Sequence, residues 1–399
     1  MSEIRRYENF DLLVSQGNGD AYQVRVLAAP GGAATSVPIA TSARELDDLH
    51  PLIAAWRALT LEREDMRRLG AALMGWLLRG PAAQLFRAGL DHIAAEEGLR
   101  IRLRIEPPEL HAIPWETCYN AETAGFLAQD PRTPIVRYLL GTFSRGKPIG
   151  GRRLKVLIAA ASPVGLPMLR VGDEIGRIAQ ALDDLAGRVE VRSIVVGLDA
   201  LQEALLDGPD VFHFIGHGGF DEAAGGFLVF DDGHGGPLTV DAEVLATYLR
   251  GSGVRLAVLS ACDSARVDPA DSFAGVAPRL VQAGLPAVVA MHTYLPDPLA
   301  PVFAAAFYRV LADGRPIDAA VTAGRVALFG HAPAEGAWSV PVLYLAAGDG
   351  IVWEAGDAAA SVAAPPATTS FQFTFQGPVT INAEVVGGNQ YRTTTDAKP

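Results

Sequence analysis

A thiol becomes a useful nucleophile when a neighbouring imidazole takes or holds its proton, because free cysteine, with a pKa of about 8.5, is only a few per cent thiolate at neutral pH. The chain has two cysteines, Cys118 and Cys262, and eight histidines. In RLAVLSACDSA the apolar strand stops at Ser260-Ala261-Cys262-Asp263. In VFHFIGHGGF the apolar run stops at Gly216-His217-Gly218-Gly219, which sets His217 between glycines. A histidine between glycines at a strand end projects into whatever crevice lies there, and the glycines let an extended backbone approach closely. The pair would perform acyl transfer, with His217 as general base and Cys262 as nucleophile. Read singly, each segment has a plainer reading: a histidine tolerated in a glycine loop, and a cysteine acting as a small buried hydrophobe. His213 sits inside the apolar run at strand spacing and reads as a core or supporting histidine. Cys118, close to Trp115, reads as packing, and Asp231-Asp232-Gly233 as a turn, with a cleavage or activation loop as the lesser alternative.

Those two side chains meet only if their strands end side by side. In open α/β sheets the ligand crevice lies beyond the carboxyl ends of the strands. Short apolar runs at 154–161, 189–196, 211–216, 255–260 and 287–291 alternate with helical stretches, and 338–347 closes the series. That alternation predicts an α/β fold, a mostly parallel sheet with helices on both faces. A smaller α+β region precedes it. Phe10–Ser15 and Tyr22–Pro30 flank Gly17-Asn18-Gly19 as a hairpin, and helical periodicity runs over 43–78 and 82–97. The segment LRIRLRI, 99–105, alternates strictly, which predicts a half-buried strand with Arg100, Arg102 and Arg104 dressing a solvent face. The Gly/Arg/Lys-rich link 144–153 and the Ala/Ser/Pro/Thr-rich stretch after Gly356 divide the chain into 1–148, 149–356 and a tail, 357–399. In the tail, Phe371, Phe373 and Phe375 alternate with polar residues. This is either an edge strand of the protein's own sheet or a docking peptide for a partner.

Composition narrows the function classes. A formal charge of −12 and the lack of a Lys/Arg-rich run argue against nucleic acid as the main partner. The N-terminal stretch lacks a signal-peptide pattern and no run of about 18 apolar residues occurs, so a cytoplasmic protein without a membrane partner is expected. Two cysteines are too few for a disulfide framework or a structural zinc site, and no cofactor or metal motif is present. No GxSxG elbow follows any strand, which ranks a serine α/β hydrolase last.

VFHFIGHGGF and VLSACDSA resemble the His and Cys motifs of the CHAT family, caspase-like proteases related to separase and grouped with caspases, metacaspases and gingipains. The 45-residue separation, His first, fits the spacing of about 50 known for caspases. HAIPWETCYN with GFLAQDPRTPIVRYL, DSFAGVAPRLVQAGLPAVVAM, FYRVLADGRPIDAAVTAGRVAL and WSVPVLYL are similar to further family segments, so the resemblance covers roughly 105–347. It implies a caspase-like fold and a cysteine endopeptidase that cuts a partner protein, regulated, and active in bacterial stress or antiviral defence. His217 matches the family base and Cys262 its nucleophile, with the backbone N–H groups of Gly218 and Cys262 forming the oxyanion hole. The selecting pocket would lie between the two strand ends, which makes Ser260, Asp263 and His292 candidates to line it. Asp263 there would favour a basic residue before the cut; it serves equally well as a helix cap. The alternative to the protease is a catalytically silent scaffold of the same shape that binds a partner. In either case the tail could dock an activator protein.

Overall fold

The computed structural model describes residues 4, 6–19, 21–32, 38–139, 149–150, 152–166, 169, 171–185, 187–221, 225–261, 275–333, 336–346 and 348–354. Cys262, Asp263 and the Phe-alternating tail lie outside them.

The N-terminal part runs β1 (Arg6–Gln16), β2 (Ala21–Ala28), β3 (Ile39–Ser42), α1 (Ala43–Asp47), α2 (His50–Arg57), α3 (Arg63–Leu77), α4 (Pro81–His92) and β4 (Glu97–Ile105). It continues with the two-residue strands β5 (Tyr119–Asn120) and β6 (Gly125–Phe126), then β7 (Ile135–Tyr138). After β8 (Ile149–Gly150) come β9 (Leu154–Ala160), α5 (Val171–Leu182), β10 (Val189–Val195), α6 (Leu198–Leu205) and β11 (Val211–Gly216). Three antiparallel strands follow, β12 (Gly218–Asp221), β13 (Gly225–Asp231) and β14 (Pro237–Asp241). The remainder is α7 (Ala242–Leu249), β15 (Leu256–Ala261), α8 (Val276–Gln282), β16 (Ala287–Met291), α9 (Ala300–Ala312), α10 (Ile317–His331), β17 (Pro341–Leu345) and β18 (Trp353–Glu354).

One 11-stranded sheet, ordered β10-β9-β11-β15-β16-β17-β7-β4-β1-β2-β3, spans the molecule. It contains two parallel blocks, β10 to β16 and β17 to β1, joined by the antiparallel pairing of β16 with β17, and β2 and β3 extend the β1 edge antiparallel. Strands β11, β16 and β17 are buried along their whole length, as continuous apolar runs covered on both faces must be. Ile158, Val211, Ile215 and Val258 face a core shared with α5, α9 and α10, whereas Phe212, Phe214, Ala257 and Leu259 face one shared with α6, α7 and α8. The alternation of side chains along each strand therefore feeds two cores, the α/β arrangement expected from the sequence.

Three local expectations shift. The helical stretch 43–78 is three helices, broken at Asp48-Leu49 and again over 58–62, where Leu59 takes a positive φ. The run 338–347 yields a strand only over Pro341–Leu345, because Trp338 and Ser339 close a 3-10 turn first. Of the arginines of β4, Arg100 does not dress a solvent face. Arg100 is fully buried, donating from Nε and Nη2 to the Asp318 carboxylate at 2.7 and 2.6 Å. Arg102 is half-buried against Asp11, and Arg104 reaches Glu106 at 2.9 Å. A buried guanidinium needs compensating acceptors, and here the carboxylate comes from a helix 218 residues away, beyond the reach of strand periodicity.

Candidate active site

Strands β11 and β15 are parallel neighbours, and their register pairs Gly216 with Ala261. These are the residues immediately before His217 and Cys262, so the sheet brings the ends of the two segments level. His217 is buried at 4% exposure. Its carbonyl accepts from the Val229 N–H at 2.9 Å, which makes 217 and 229 a hydrogen-bonded pair of the β12–β13 ladder. In an antiparallel ladder such pairs alternate with non-bonded ones. Gly218 and Leu228 form the next, non-bonded pair, so the Gly218 N–H turns away from β13 toward the open side of β12.

Gly275, the first described residue after Ala261, meets Gly226 of β13 in a close backbone contact. A Cβ at Gly226 would lie 2.5 Å from Val276 N, and one at Gly275 would lie 2.8 Å from Gly226 N and 2.9 Å from Phe220 Cδ2. Two glycines are needed there for space, and their approach holds the start of α8 against β13. The Asp231-Asp232-Gly233 segment is the expected turn: Asp231 Oδ1 accepts from Gly233 N at 2.7 Å, and Asp232 Oδ1 accepts from His234 N and Gly236 N at 2.8 and 2.9 Å.

His213 is buried, as expected of a core histidine, with both ring nitrogens engaged: Nδ1 lies 3.0 Å from Tyr308 Oη and Nε2 lies 3.3 Å from Ser260 Oγ. Burial pulls its pKa down to about 4, so it is neutral near pH 7. Ser260, a candidate pocket residue, is itself buried and has its hydroxyl on His213. His292 follows β16, the strand on the other side of β15 from β11. Its Nδ1 faces Arg137 Nη2 at 3.5 Å and its ring meets Trp56 edge-on, centroids 5.2 Å apart. A guanidinium only donates, so Nδ1 accepts and Nε2 carries the proton. Burial and the nearby Arg137 and Arg57 keep this imidazole well below the usual histidine range. Cys118 is buried, and burial pushes its thiol pKa up, the opposite of what a nucleophile needs.

Arg137, Glu116 and Tyr308 were not singled out by sequence. Arg137 donates to the Glu116 carboxylate at 3.1 and 3.0 Å and to the Ile113 carbonyl at 3.0 Å, both ionic side chains being almost fully buried. A signal existed, since each is a lone charge inside an apolar stretch, PWETC or PIVRYL. For Tyr308 in AFYRVL there was none, because a tyrosine on a helical face is ordinary core.

No curated protein matches this sequence. Among solved structures, a chain of the Saccharomyces cerevisiae separase–securin complex aligns at 15% identity and a TM-score of 0.37, covering 62% of this chain and 15% of that one. A second structure of that complex aligns at 14% identity and a TM-score of 0.39, covering 66% and 17%. The Porphyromonas gingivalis complex of RgpB pro- and mature domains aligns at 11% identity and a TM-score of 0.42, covering 78% of each chain. The present chain thus spans less than a fifth of the yeast chains it aligns with. The CHAT domain profile matches residues 67–344, more than half of the chain and both strand ends described above. The chain belongs to the CHAT domain family.

Proposed function

We propose that the chain is a cysteine endopeptidase in which His217 and Cys262 act as a dyad. The observation that carries this reading is the pairing of Gly216 with Ala261, which sets the two segments level at one sheet edge. The His217 imidazole takes the Cys262 thiol proton, and the thiolate attacks the scissile carbonyl carbon of an extended peptide. The tetrahedral oxyanion is held by the N–H groups of Gly218 and Cys262, and each such donor is worth on the order of 3 kcal/mol. Protonated His217 then gives its proton to the leaving amine, and water hydrolyses the thioester with His217 again as base. In this reading Ser260, Asp263 and His292 border the selecting pocket; Ser260 is near the end of β15 and His292 directly follows β16. No cofactor or metal enters this scheme.

The chain divides in the same reading into 1–148, 149–356 and 357–399, the last being the segment an activator protein would dock. A regulated role in stress or antiviral defence, in the bacterial cytoplasm and on a protein substrate, fits a peptidase of this family. Among the described residues no helix is long and apolar enough to cross a membrane.

A peptide library presented to wild type and to Cys262→Ala, with and without neighbouring gene products as activators, tests the proposal. Cleavage by wild type alone, at a reproducible residue, is expected. A thiol-reactive peptide probe that labels both proteins equally, with no cleavage by either, would establish the silent scaffold instead.

A further inference from the structure

We infer that Tyr308, His213 and Ser260 form a directional positioning relay beneath the candidate dyad, running from α9 through β11 into β15. The inference rests on the dyad reading. His213 is four residues before His217 on β11, and Ser260 is two residues before Cys262 on β15. The relay therefore ties together the two strands whose ends must stay level.

Its direction follows from burial. Tyr308 is 0% exposed, and burial raises its phenol pKa, so the hydroxyl keeps its proton. A buried O–H needs an acceptor, and among the described residues the phenol's hydrogen-bond partner is His213 Nδ1. Nδ1 therefore accepts and the proton of the neutral ring sits on Nε2. Nε2–H donates in turn to Ser260 Oγ, which leaves the serine's own proton to be given onward, two residues ahead of Cys262. The opposite tautomer would strand the phenol's proton in an apolar core. Around His213 the remaining sheet neighbours are apolar: Ile158 on β9 and Val258 on β15 lie opposite it in register. Among the described residues, the other titratable groups that follow these strands are His217 after β11 and His292 after β16. Tyr308, His213 and Ser260 are positioning residues, acting on the dyad through strand register and hydroxyl orientation.

The test is the rate of iodoacetamide alkylation of Cys262 in the full chain across pH 5 to 9, with Cys262→Ala as blank; buried Cys118 stays silent. In Tyr308→Phe and Ser260→Ala, alkylation at pH 7 should slow about fivefold, the factor one ordinary hydrogen bond carries. The profile should also move to higher pH, and Ser260→Thr, which keeps a hydroxyl, should restore it. Thermal melts of each variant identify any that fail to fold, and Tyr308→Phe, which keeps the ring, is the variant on which the result turns. Unchanged profiles in folded Tyr308→Phe and Ser260→Ala, with a shifted profile in His217→Ala, would overturn the relay and leave the dyad standing. Unchanged profiles in all three would remove the dyad, and the relay with it.

Discussion

At the scale of single residues, the chain keeps several imidazoles neutral by burying them. His213 and His111 are both drawn down to about 4, His213 by burial alone and His111 by burial reinforced by Arg137. In the unfolded chain each would titrate near 6.5. Between those values the unfolded state binds more protons than the folded one, so stability rises with pH there. The stability is fully present above about pH 6.5 and is lost as pH falls toward 4, at up to about 1.4 kcal/mol per pH unit for each histidine. Urea midpoints measured at pH 7.5, 6.0 and 5.0 should therefore fall steadily. In His111→Gln the decline between pH 6.0 and 5.0 should be shallower than in wild type; an unaltered slope would mean that this histidine is charged in the folded protein. Sequence placed His213 correctly in the core because it interrupts an apolar strand. His111 lies in an irregular segment with no periodicity, and only the structure shows its Nδ1 buried.

At the scale of elements, β4 and α10 are braced by the Arg100–Asp318 pair. The same guanidinium holds the carbonyls of Gly348 and Asp349, at 2.9 and 2.8 Å, and lies over the Tyr7 ring with its carbon 5.0 Å from the centroid. Both charged side chains are 0% exposed. Burying two charges is costly, and their attraction with full hydrogen bonding roughly offsets that cost, whereas a lone buried charge is left uncompensated. Arg100→Leu should thus destabilise the protein by about 3–5 kcal/mol, measured as a lowered urea midpoint at unchanged slope. The double variant Arg100→Leu/Asp318→Leu should regain part of that loss, because the buried carboxylate has gone. It should not regain all of it, because the two carbonyls lose their donor. If the double variant were less stable than the sum of the single changes, the pair would be contributing little and the brace would have to be sought elsewhere. Strand periodicity located β4 but assigned its arginines to solvent. Alternation says which residues share a face and is silent on what covers that face.

At the scale of the whole molecule, the strands between residues 154 and 345 were legible because strands covered on both faces must be apolar throughout, and turn residues mark where they stop. The order of the strands was not legible, since a strand's neighbours come from anywhere in the chain. The sheet continues past the composition boundary at 148/149: β17 pairs in parallel with β7 through Tyr344 with Arg137 and Leu345 with Tyr138. Trp56 Nε1 donates to Ser339 Oγ at 2.8 Å, Arg100 reaches Asp318, and a single apolar cluster includes Phe10, Leu103, Phe307 and Trp338. Residues 149–399 expressed alone would therefore expose the β17 edge, the apolar face that Trp56 and Leu103 cover, and the Asp318 carboxylate without its partner. Exposed strand edges and large apolar patches promote aggregation. The separate piece should be insoluble or melt far below the full chain, whereas co-expression with 1–148 should restore a soluble 1:1 complex on size-exclusion chromatography. A cooperatively folded, monomeric 149–399 would show instead that the core is two cores in contact, and that the link at 144–153 separates units able to fold alone.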